Sequence, residues 1–290
     1  MRFPVPALLC VHPHPDDESI ACGGVIAKAV DAGHRVKVVT CTRGEEGENL
    51  AGIDLGDEDL PTHRLRELQD ALAELGVTDH EFLGYRDSGM VDTPGNAHAE
   101  CFHVADLYEA AGRLARIIRR FRPDVLVSDD AQGTYGHPDH VKAHRVTERA
   151  LVMAADPWWR TPEDGEPHEV AKRYVFAFSR SRVLETHRRL RAEGLASPFG
   201  EADDLDEADI PFGVPDEEVT TVVAIHPWLA RKQAAMRAHR SQIGEDSFFL
   251  NVPEAVATEI FGTEAFVLLA GEAAGDPEDD LFAGLGSARR

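Results

Sequence analysis

Histidine and carboxylate side chains cluster at two distant points of the chain. The first cluster is Val11-His12-Pro13-His14-Pro15-Asp16-Asp17-Glu18, and the second is Gly136-His137-Pro138-Asp139-His140. Zinc accepts imidazole and carboxylate ligands, and a catalytic zinc usually has three protein ligands and one open position. His14, Asp17 and His140 could each supply one ligand atom. Asp16 would then remain uncoordinated beside them.

Each cluster also has a purely structural interpretation. Asp16, Asp17 and Glu18 could charge the first turn of a helix, where the macrodipole favours anions. The histidines could be ordinary turn residues. The first cluster alone supports both interpretations about equally. A second His-Pro-Asp at a second strand-to-helix junction is hard to explain by helix capping alone, so the pair favours a metal site.

Strands and helices must bring the two clusters together. The apolar run Ala7-Leu8-Leu9-Cys10-Val11 suits a buried strand, and the segment after Ser19 has the apolar spacing of a helix. The second cluster likewise lies between a strand-like run, 124–128, and a helix-like segment, 141–153. Ends of strands border the ligand crevice of an open α/β sheet, so we expect the clusters to meet there.

Alternating strands and helices predict an α/β fold, a Rossmann-like and mostly parallel sheet flanked by helices. We expect helices over 62–75, capped by Thr62, and from about 104 to 121. The 290 residues suit one large domain. We predict a single domain over 1–290, with a core over 1–153 that carries both clusters. A less regular C-terminal lobe over 154–290 would follow.

At this point the chain resembles a known family, the N-acetylglucosaminyl-phosphatidylinositol de-N-acetylase-like zinc deacetylases, and most of all its mycothiol-biosynthesis members. Besides the two clusters, preceded in the second by Tyr135, three segments carry the resemblance: Thr42-Arg43-Gly44-Glu45-Glu46-Gly47-Glu48, Arg86-Asp87-Ser88-Gly89-Met90 and Ala238-His239-Arg240-Ser241-Gln242. The resemblance covers most of the chain. The pairing of the two clusters is highly specific, whereas the other segments are supportive only.

Amide hydrolysis needs an activated water, a Lewis acid for the carbonyl oxygen and a proton for the departing amine. One zinc per chain would lower the pKa of its water to near 7, and Fe²⁺ would fit the same ligands. Asp16 is the candidate general base, a role that the resemblance also implies. His137 is the candidate electrophile or acid, with Asp139 orienting its imidazole. Tyr135 would reach the carbonyl or simply pack at a turn.

The resemblance implies three substrate contacts as well. Arg64 and Asp87 match residues that contact substrate hydroxyls, and Glu48 belongs to a loop that borders the sugar site. Each has a plainer alternative: a surface pair of Arg64 with Glu67, a turn at Asp87, and a solvated acidic loop. In the last segment, His239 and Gln242 could support the site or lie at the surface.

The reaction that the resemblance implies is zinc-dependent hydrolysis of the acetamide of an N-acetylglucosaminyl-inositol-type sugar. Alternatives are a mycothiol S-conjugate amidase, another N-acyl-glucosamine deacetylase, and a non-catalytic sugar- or metal-binding module. The segment 238–243 followed by Phe248-Phe249 favours the amidase, whereas 42–48 and 86–90 favour the deacetylase. The uncoordinated Asp16 argues against a storage module. Substrate preference should lie in residues 44–59 and 154–217, which are long, acidic and rich in glycine or proline.

Composition limits the partners and the compartment. The formal net charge of −22 argues against nucleic acid or an anionic membrane as a partner. No run approaches the roughly 18 apolar residues of a membrane span, and the N-terminus lacks signal-peptide features. The four cysteines form no C-x-x-C pair. These features predict a cytoplasmic protein that acts on a small amino sugar, and they leave a homo-oligomer open.

Overall fold

The computed structural model describes residues 5–159, 165–202 and 204–285. Strands and helices alternate through the first half of the chain: β1 Ala7–His12, α1 Asp17–Asp31, β2 Arg35–Thr40, α2 Leu60–Leu75, β3 Asp79–Phe82, α3 Leu107–Phe121, β4 Val125–Ser128 and α4 Pro138–Ala155. The second half continues the same architecture with β5 Lys172–Ala177, α5 Arg180–Ala192, β6 Thr221–Ala224, α6 Leu229–Ala238, α7 Glu254–Phe261 and β7 Thr263–Ala270.

The seven strands form one sheet in the order β3-β2-β1-β4-β5-β7-β6. Strands β1 to β5 pair in parallel, whereas β7 runs antiparallel to both β5 and β6. The predicted mostly parallel α/β fold is therefore confirmed. Because β1 lies between β2 and β4, chain connections leave it in opposite directions, and such a switch point opens a crevice at the carboxyl ends of the strands. The first His-Pro-Asp segment follows β1, and the second follows β4.

Apolar side chains bury both faces of the sheet. Successive residues of a strand point to opposite faces, so Leu8 and Cys10 join one cluster while Leu9 and Val11 join the other. Helices α1, α2 and α6 contribute to the first cluster, and α3 and α4 to the second. This double cover makes the ends of β1 and β4 a rigid base for polar side chains.

Two helix starts differ from the expectation. The cap of α2 is Asp59, whose Oδ1 accepts a hydrogen bond from the Thr62 backbone N–H at 2.9 Å. Helix α3 begins at Leu107, behind Asp106, whose Oδ1 accepts a bond from the Glu109 N–H at 2.9 Å. In both cases the helix begins directly after an aspartate, whose side chain accepts a hydrogen bond from a backbone N–H of the first turn.

The C-terminal half completes the sheet rather than forming a separate one, because β5 pairs with β4 and β7 with β5. The predicted division of the chain at residue 153 stays a prediction. Within the described residues, no helix is both long and apolar enough to cross a membrane.

Candidate active site

His14, Asp17 and His140 converge at the carboxyl ends of β1 and β4. His14 follows β1, Asp17 is the first residue of α1, and His140 lies in the first turn of α4. The Asp17 Oδ2 atom lies 3.5 Å from His14 Nδ1 and 3.6 Å from His140 Nε2. Although burial opposes it, the neighbouring His140 and His14 charges hold the pKa of Asp17 below its usual range. The carboxylate thus stays ionised between two imidazoles.

The surroundings of His140 fit a divalent metal. Its Nδ1 lies 2.5 Å from Asp129 Oδ1, whereas its Nε2 is buried and has no hydrogen-bond partner among the described residues. A metal-ligating histidine almost always bonds its other ring nitrogen to a carboxylate, carbonyl or water, which fixes the tautomer. A buried nitrogen left without a partner costs roughly 1–3 kcal/mol. The donor set therefore suits a cation at His140 Nε2.

Sequence reasoning missed Asp129. The available signal was its position, directly after the apolar strand β4, where a carboxylate faces the same crevice as the ligands. Asp129 is fully buried. Its role depends on a contact with a residue eleven positions later, which the spacing of the motif alone does not reveal.

His137 is suited to donate a hydrogen bond rather than to bind a metal. One ring nitrogen from each of His14, His137 and His140 lies within 4.8 Å of the others, so proximity alone also allows this second ligand set. However, His137 Nδ1 accepts a hydrogen bond from the Asp139 backbone N–H at 3.1 Å. Burial and the nearby His14 lower the pKa of His137 to about 4. A neutral ring that accepts at Nδ1 carries its proton on Nε2.

The structure corrects the partner of Asp139. Its Oδ2 lies 3.2 Å from His14 Nε2 and accepts a bond from the Ser88 N–H at 2.9 Å, and its Oδ1 accepts from the Ser88 hydroxyl. Asp87 Oδ1 lies 3.5 Å from the same His14 nitrogen. His14, Asp87 and Asp139 could by proximity hold a metal of their own, but two carboxylate oxygens that face the same His14 nitrogen favour a proton on that nitrogen. The two carboxylates therefore orient His14, leaving its Nδ1 towards Asp17.

Asp16 lies beside this cluster in a strained backbone conformation. Its φ is 114° and its ψ −31°, a region that costs a non-glycine residue about 1–3 kcal/mol. Its side chain does not cap α1; Oδ2 lies 3.3 Å from Arg64 Nη2 instead. Burial raises the pKa of Asp16 to about 6, although Arg64 opposes the shift. Such a carboxylate can exchange a proton near neutral pH.

Arg64 is buried and bonded within the protein. It donates from Nη2 to the Pro15 carbonyl at 2.6 Å and from Nη1 to the Gly44 carbonyl at 3.1 Å. A Cβ at Gly47 would lie 2.6 Å from Arg64 Nη1, and one at Gly44 would lie closer still. The alternative surface pair with Glu67 is wrong, because the Glu67 carboxylate accepts its bonds from Ser241. Arg64 holds the turn that carries Asp16, and its contact with substrate stays a prediction.

The remaining predicted site residues divide between the cluster and its rim. Asp87 is buried, and its Oδ2 accepts a bond from the Glu46 N–H at 3.2 Å. Glu48 is exposed, and its backbone carbonyl accepts a bond from Gln242 Nε2 at 2.9 Å. Tyr135 is 53% exposed, with its ring centre 5.2 Å from that of His140. Asp87 therefore belongs to the cluster, and Glu48 and Tyr135 lie at the surface around it.

A cavity of about 510 Å³ opens from the cluster, with Asp16, Asp17, Tyr135 and His140 at its polar end. Aromatic side chains from the C-terminal half of the chain line much of the remaining wall: Phe176, Phe178, Phe212, Phe248, Phe249 and Phe261. We call this cavity the aromatic chamber. A second cavity of about 540 Å³, between Arg43, Arg86 and Arg113, contains none of the candidate ligands.

Comparison with known proteins shows the family of this chain. A sequence profile of the GlcNAc-PI de-N-acetylase family matches residues 9–151. The 1D-myo-inositol 2-acetamido-2-deoxy-alpha-D-glucopyranoside deacetylase of Geodermatophilus obscurus is 45% identical, over 96% of this chain and 97% of its own. The protein of that name from Acidothermus cellulolyticus is also 45% identical, over 97% and 96%. The chain belongs to the GlcNAc-PI de-N-acetylase family.

Membership makes the chain a hydrolase of the deacetylase class, as its two clusters and the resemblance predict. Among solved structures, the N,N'-diacetylchitobiose deacetylase from Pyrococcus horikoshii superposes with a TM-score of 0.62. It is 20% identical and covers 92% of this chain and 85% of its own. At that identity the likeness supports the fold alone. The matched segment 9–151 contains all ten predicted site residues.

Proposed function

We propose that the chain hydrolyses the acetamide of 1D-myo-inositol 2-acetamido-2-deoxy-alpha-D-glucopyranoside and releases acetate and the free amine. Zinc would be held by His14, Asp17 and His140. The observation that carries this proposal is the position of Asp17 between two imidazoles, with the uncoordinated Asp16 beside it. Two relatives that bear this substrate in their name, matched over nearly their whole length, support the choice of sugar.

Each group of the site has a task in that reaction. The bound metal supplies a Lewis acid that polarises the amide carbonyl and lowers the pKa of water. Asp16 accepts a proton from the attacking water, since its carboxylate is free of the ligand set. His137 donates a hydrogen bond from Nε2 to the carbonyl oxygen as negative charge develops on it. Asp87 and Asp139 keep His14 oriented throughout.

Atoms and protons balance without any further reactant. The water oxygen bonds to the carbonyl carbon, and the bond from that carbon to the sugar nitrogen breaks. Asp16 takes one proton from the water and passes it to the departing nitrogen, which leaves as the amine. The second water proton leaves with the new carboxyl group, which is released as acetic acid and ionises to acetate, so Asp16 is ready for another turnover.

The test is acetate release by metal-reconstituted protein. We expect release from N-acetylglucosaminyl-inositol and much less from N-acetylglucosamine alone, and zinc and Fe²⁺ forms should be compared side by side. Glu278→Gln, an isosteric change of a buried carboxylate bonded to Lys172 and Tyr174, serves as the matched control. Absence of acetate release from every N-acetyl sugar, with metal bound, would contradict the proposal.

The aromatic chamber favours a second candidate, an amidase of mycothiol S-conjugates. An inositol glucosaminide is a polyol, whereas six phenylalanines line the space beside the ligands. A conjugate with an apolar sulfur substituent could bury that group there. Comparing kcat/KM for the deacetylase substrate and for such a conjugate, on the same protein preparation, decides between the two. In either case the partner is a small amino sugar, and a cytoplasmic location stays a prediction.

A further inference from the structure

Behind Asp16 lies a buried carboxylate that the proposed reaction does not use. Glu18 is fully buried, and its Oε2 accepts a hydrogen bond from the backbone N–H of Asp16 at 3.0 Å. Its Oε1 accepts bonds from the Ser19 hydroxyl at 2.6 Å and from His239 Nε2 at 2.8 Å. Every oxygen of Glu18 is thus engaged, and one of them holds the strained residue.

The position of Glu18 in its helix explains the contact. Asp16 is the N-cap of α1, and Glu18 is the second residue of the helix. In a capping box, the N-cap side chain accepts a helix N–H, while a residue of the first turn reaches back to the N-cap N–H. Only the second half is present here, because the Asp16 carboxylate faces Arg64. Glu18 secures the backbone of Asp16 and leaves its carboxylate available.

His239 fixes Glu18 from the other side of the site. It directly follows α6, is fully buried, and lies 221 positions from its partner along the chain. Two residues later, Ser241 donates to the Glu67 carboxylate from its backbone N–H at 2.7 Å and from its hydroxyl at 2.6 Å. Glu67 belongs to α2, the helix that carries Arg64. The turn after α6 therefore bonds to Glu18, which contacts the Asp16 backbone, and to the helix that carries Arg64.

We propose that Glu18 and His239 are positioning residues for Asp16. They hold its backbone at positive φ, and that backbone directs the carboxylate out of the helix cap and beside the ligands. The inference rests on the proposed function only in taking Asp16 as the base. Neither residue touches the reacting atoms, since Glu18 acts through the Asp16 main chain and His239 acts through Glu18.

The proposal is tested by measuring kcat after the change Glu18→Ala, once in the wild-type protein and once in Asp16→Asn. Loss of a general base costs roughly 10²- to 10⁴-fold, so loss of its positioning should cost less, and we expect kcat of Glu18→Ala to fall about 10- to 100-fold. KM and metal content should stay at wild-type values. In the Asp16→Asn background the same change should have little further effect, because residues that act through one group are not additive.

Two substitutions of His239 test whether its hydrogen bond to Glu18 is what maintains kcat. The amide of His239→Gln can still donate a hydrogen bond to Glu18, whereas His239→Ala cannot. We expect the glutamine variant to retain most of kcat and the alanine variant to resemble Glu18→Ala. The control is again Glu278→Gln, which should lower the melting temperature without changing kcat. A loss of kcat by the same factor in the Asp16→Asn background would overturn the proposal.

A structural measurement separates this inference from the proposed function. In a crystal structure of metal-free Glu18→Ala, or of His239→Ala if the first variant does not fold, we expect the φ of Asp16 to leave the region near 114°. This result needs no substrate, so it stands even if the wild-type protein releases no acetate. An unchanged φ in the variant would overturn the positioning role, whatever the substrate proves to be.

Discussion

The separate roles of neighbouring aspartates are decided at the scale of single residues. Asp17 lies between two imidazoles, whereas Asp16 faces Arg64 from a strained backbone. We predict that Asp16→Asn keeps its metal and loses roughly 10²- to 10⁴-fold in kcat. Asparagine tolerates positive φ better than most residues, so the backbone should hold. Metal analysis and kcat on one preparation check this, and loss of the metal would instead make Asp16 a ligand.

Asp129 permits a second prediction at this scale. Outer-shell partners typically contribute 10- to 100-fold in metal affinity, so Asp129→Asn should weaken metal binding by about that factor. Competition with a chelator measures the affinity. The matched control is Asp106→Asn, which changes the N-cap of α3, where asparagine is equally suitable. Equal affinity in Asp129→Asn and in wild type would show that His140 does not need this carboxylate.

The sequence reveals some of these residues and conceals others for a physical reason. His14, Asp17 and His140 belong to short motifs at strand ends, so their residue types and spacing predict their meeting. Asp129, Glu18 and His239 act through partners whose proximity depends on how helices pack on the sheet. The assignment of Asp139 to His137 failed for the same reason. The closeness of Asp139 and His137 in the sequence suggested a contact between their side chains, but in the folded protein the Asp139 carboxylate lies against His14.

At the scale of elements, the loop after β2 matters because it encloses Arg64. Gly47 needs no positive φ, yet a Cβ there would lie 2.6 Å from Arg64 Nη1. We predict that Gly47→Ala displaces the guanidinium, frees the Pro15 turn and lowers kcat about tenfold, a small share of what loss of the base would cost. Steady-state kinetics measure the loss of kcat, and a melting curve measures any change in stability.

Gly112 provides the control for this change. It lies inside α3, where the nearest atom to an added Cβ would be 3.6 Å away, an ordinary contact. Alanine is favoured over glycine in a helix by about 1 kcal/mol, so Gly112→Ala should raise the melting temperature and leave kcat unchanged. A Gly47→Ala enzyme with wild-type kcat would mean that Arg64 has room to adjust without moving Asp16.

Element types were predictable, while element ends were less so. Alternating apolar runs and amphipathic stretches predict most of the strands and helices, and the parallel pairing of β1 to β5 follows from the helices between them. The start of α2 depends on which of two capping side chains, Asp59 or Thr62, meets the first helix N–H groups. The antiparallel direction of β7 could not be foreseen, because its place beside β5 follows from long connections rather than from local pattern.

At the scale of the whole molecule, the two halves of the chain supply different parts of the site. The carboxyl ends of β1 and β4 hold the polar cluster, and the second half supplies the phenylalanines of the aromatic chamber. Of the two segments expected to set substrate preference, residues 44–59 do not line this chamber, whereas Phe176, Phe178 and Phe212 of the other segment do. Aromatic residues so far apart in sequence give no sign of their convergence.

This division leads to the last prediction, an exchange of residues 154–217 for the equivalent segment of a mycothiol S-conjugate amidase. The ratio of amidase to deacetylase kcat/KM should rise, because the exchanged segment supplies half of the six phenylalanines of the chamber. Metal content should not change, since the candidate ligands and Asp129 all precede residue 154. Phe212→Ala alone should shift the ratio in proportion to the apolar area it removes, at roughly 25 cal/mol per Å². If the exchanged enzyme binds metal and keeps its original ratio, preference must instead depend on contacts at Arg64, Asp87 and the loop that carries Glu48.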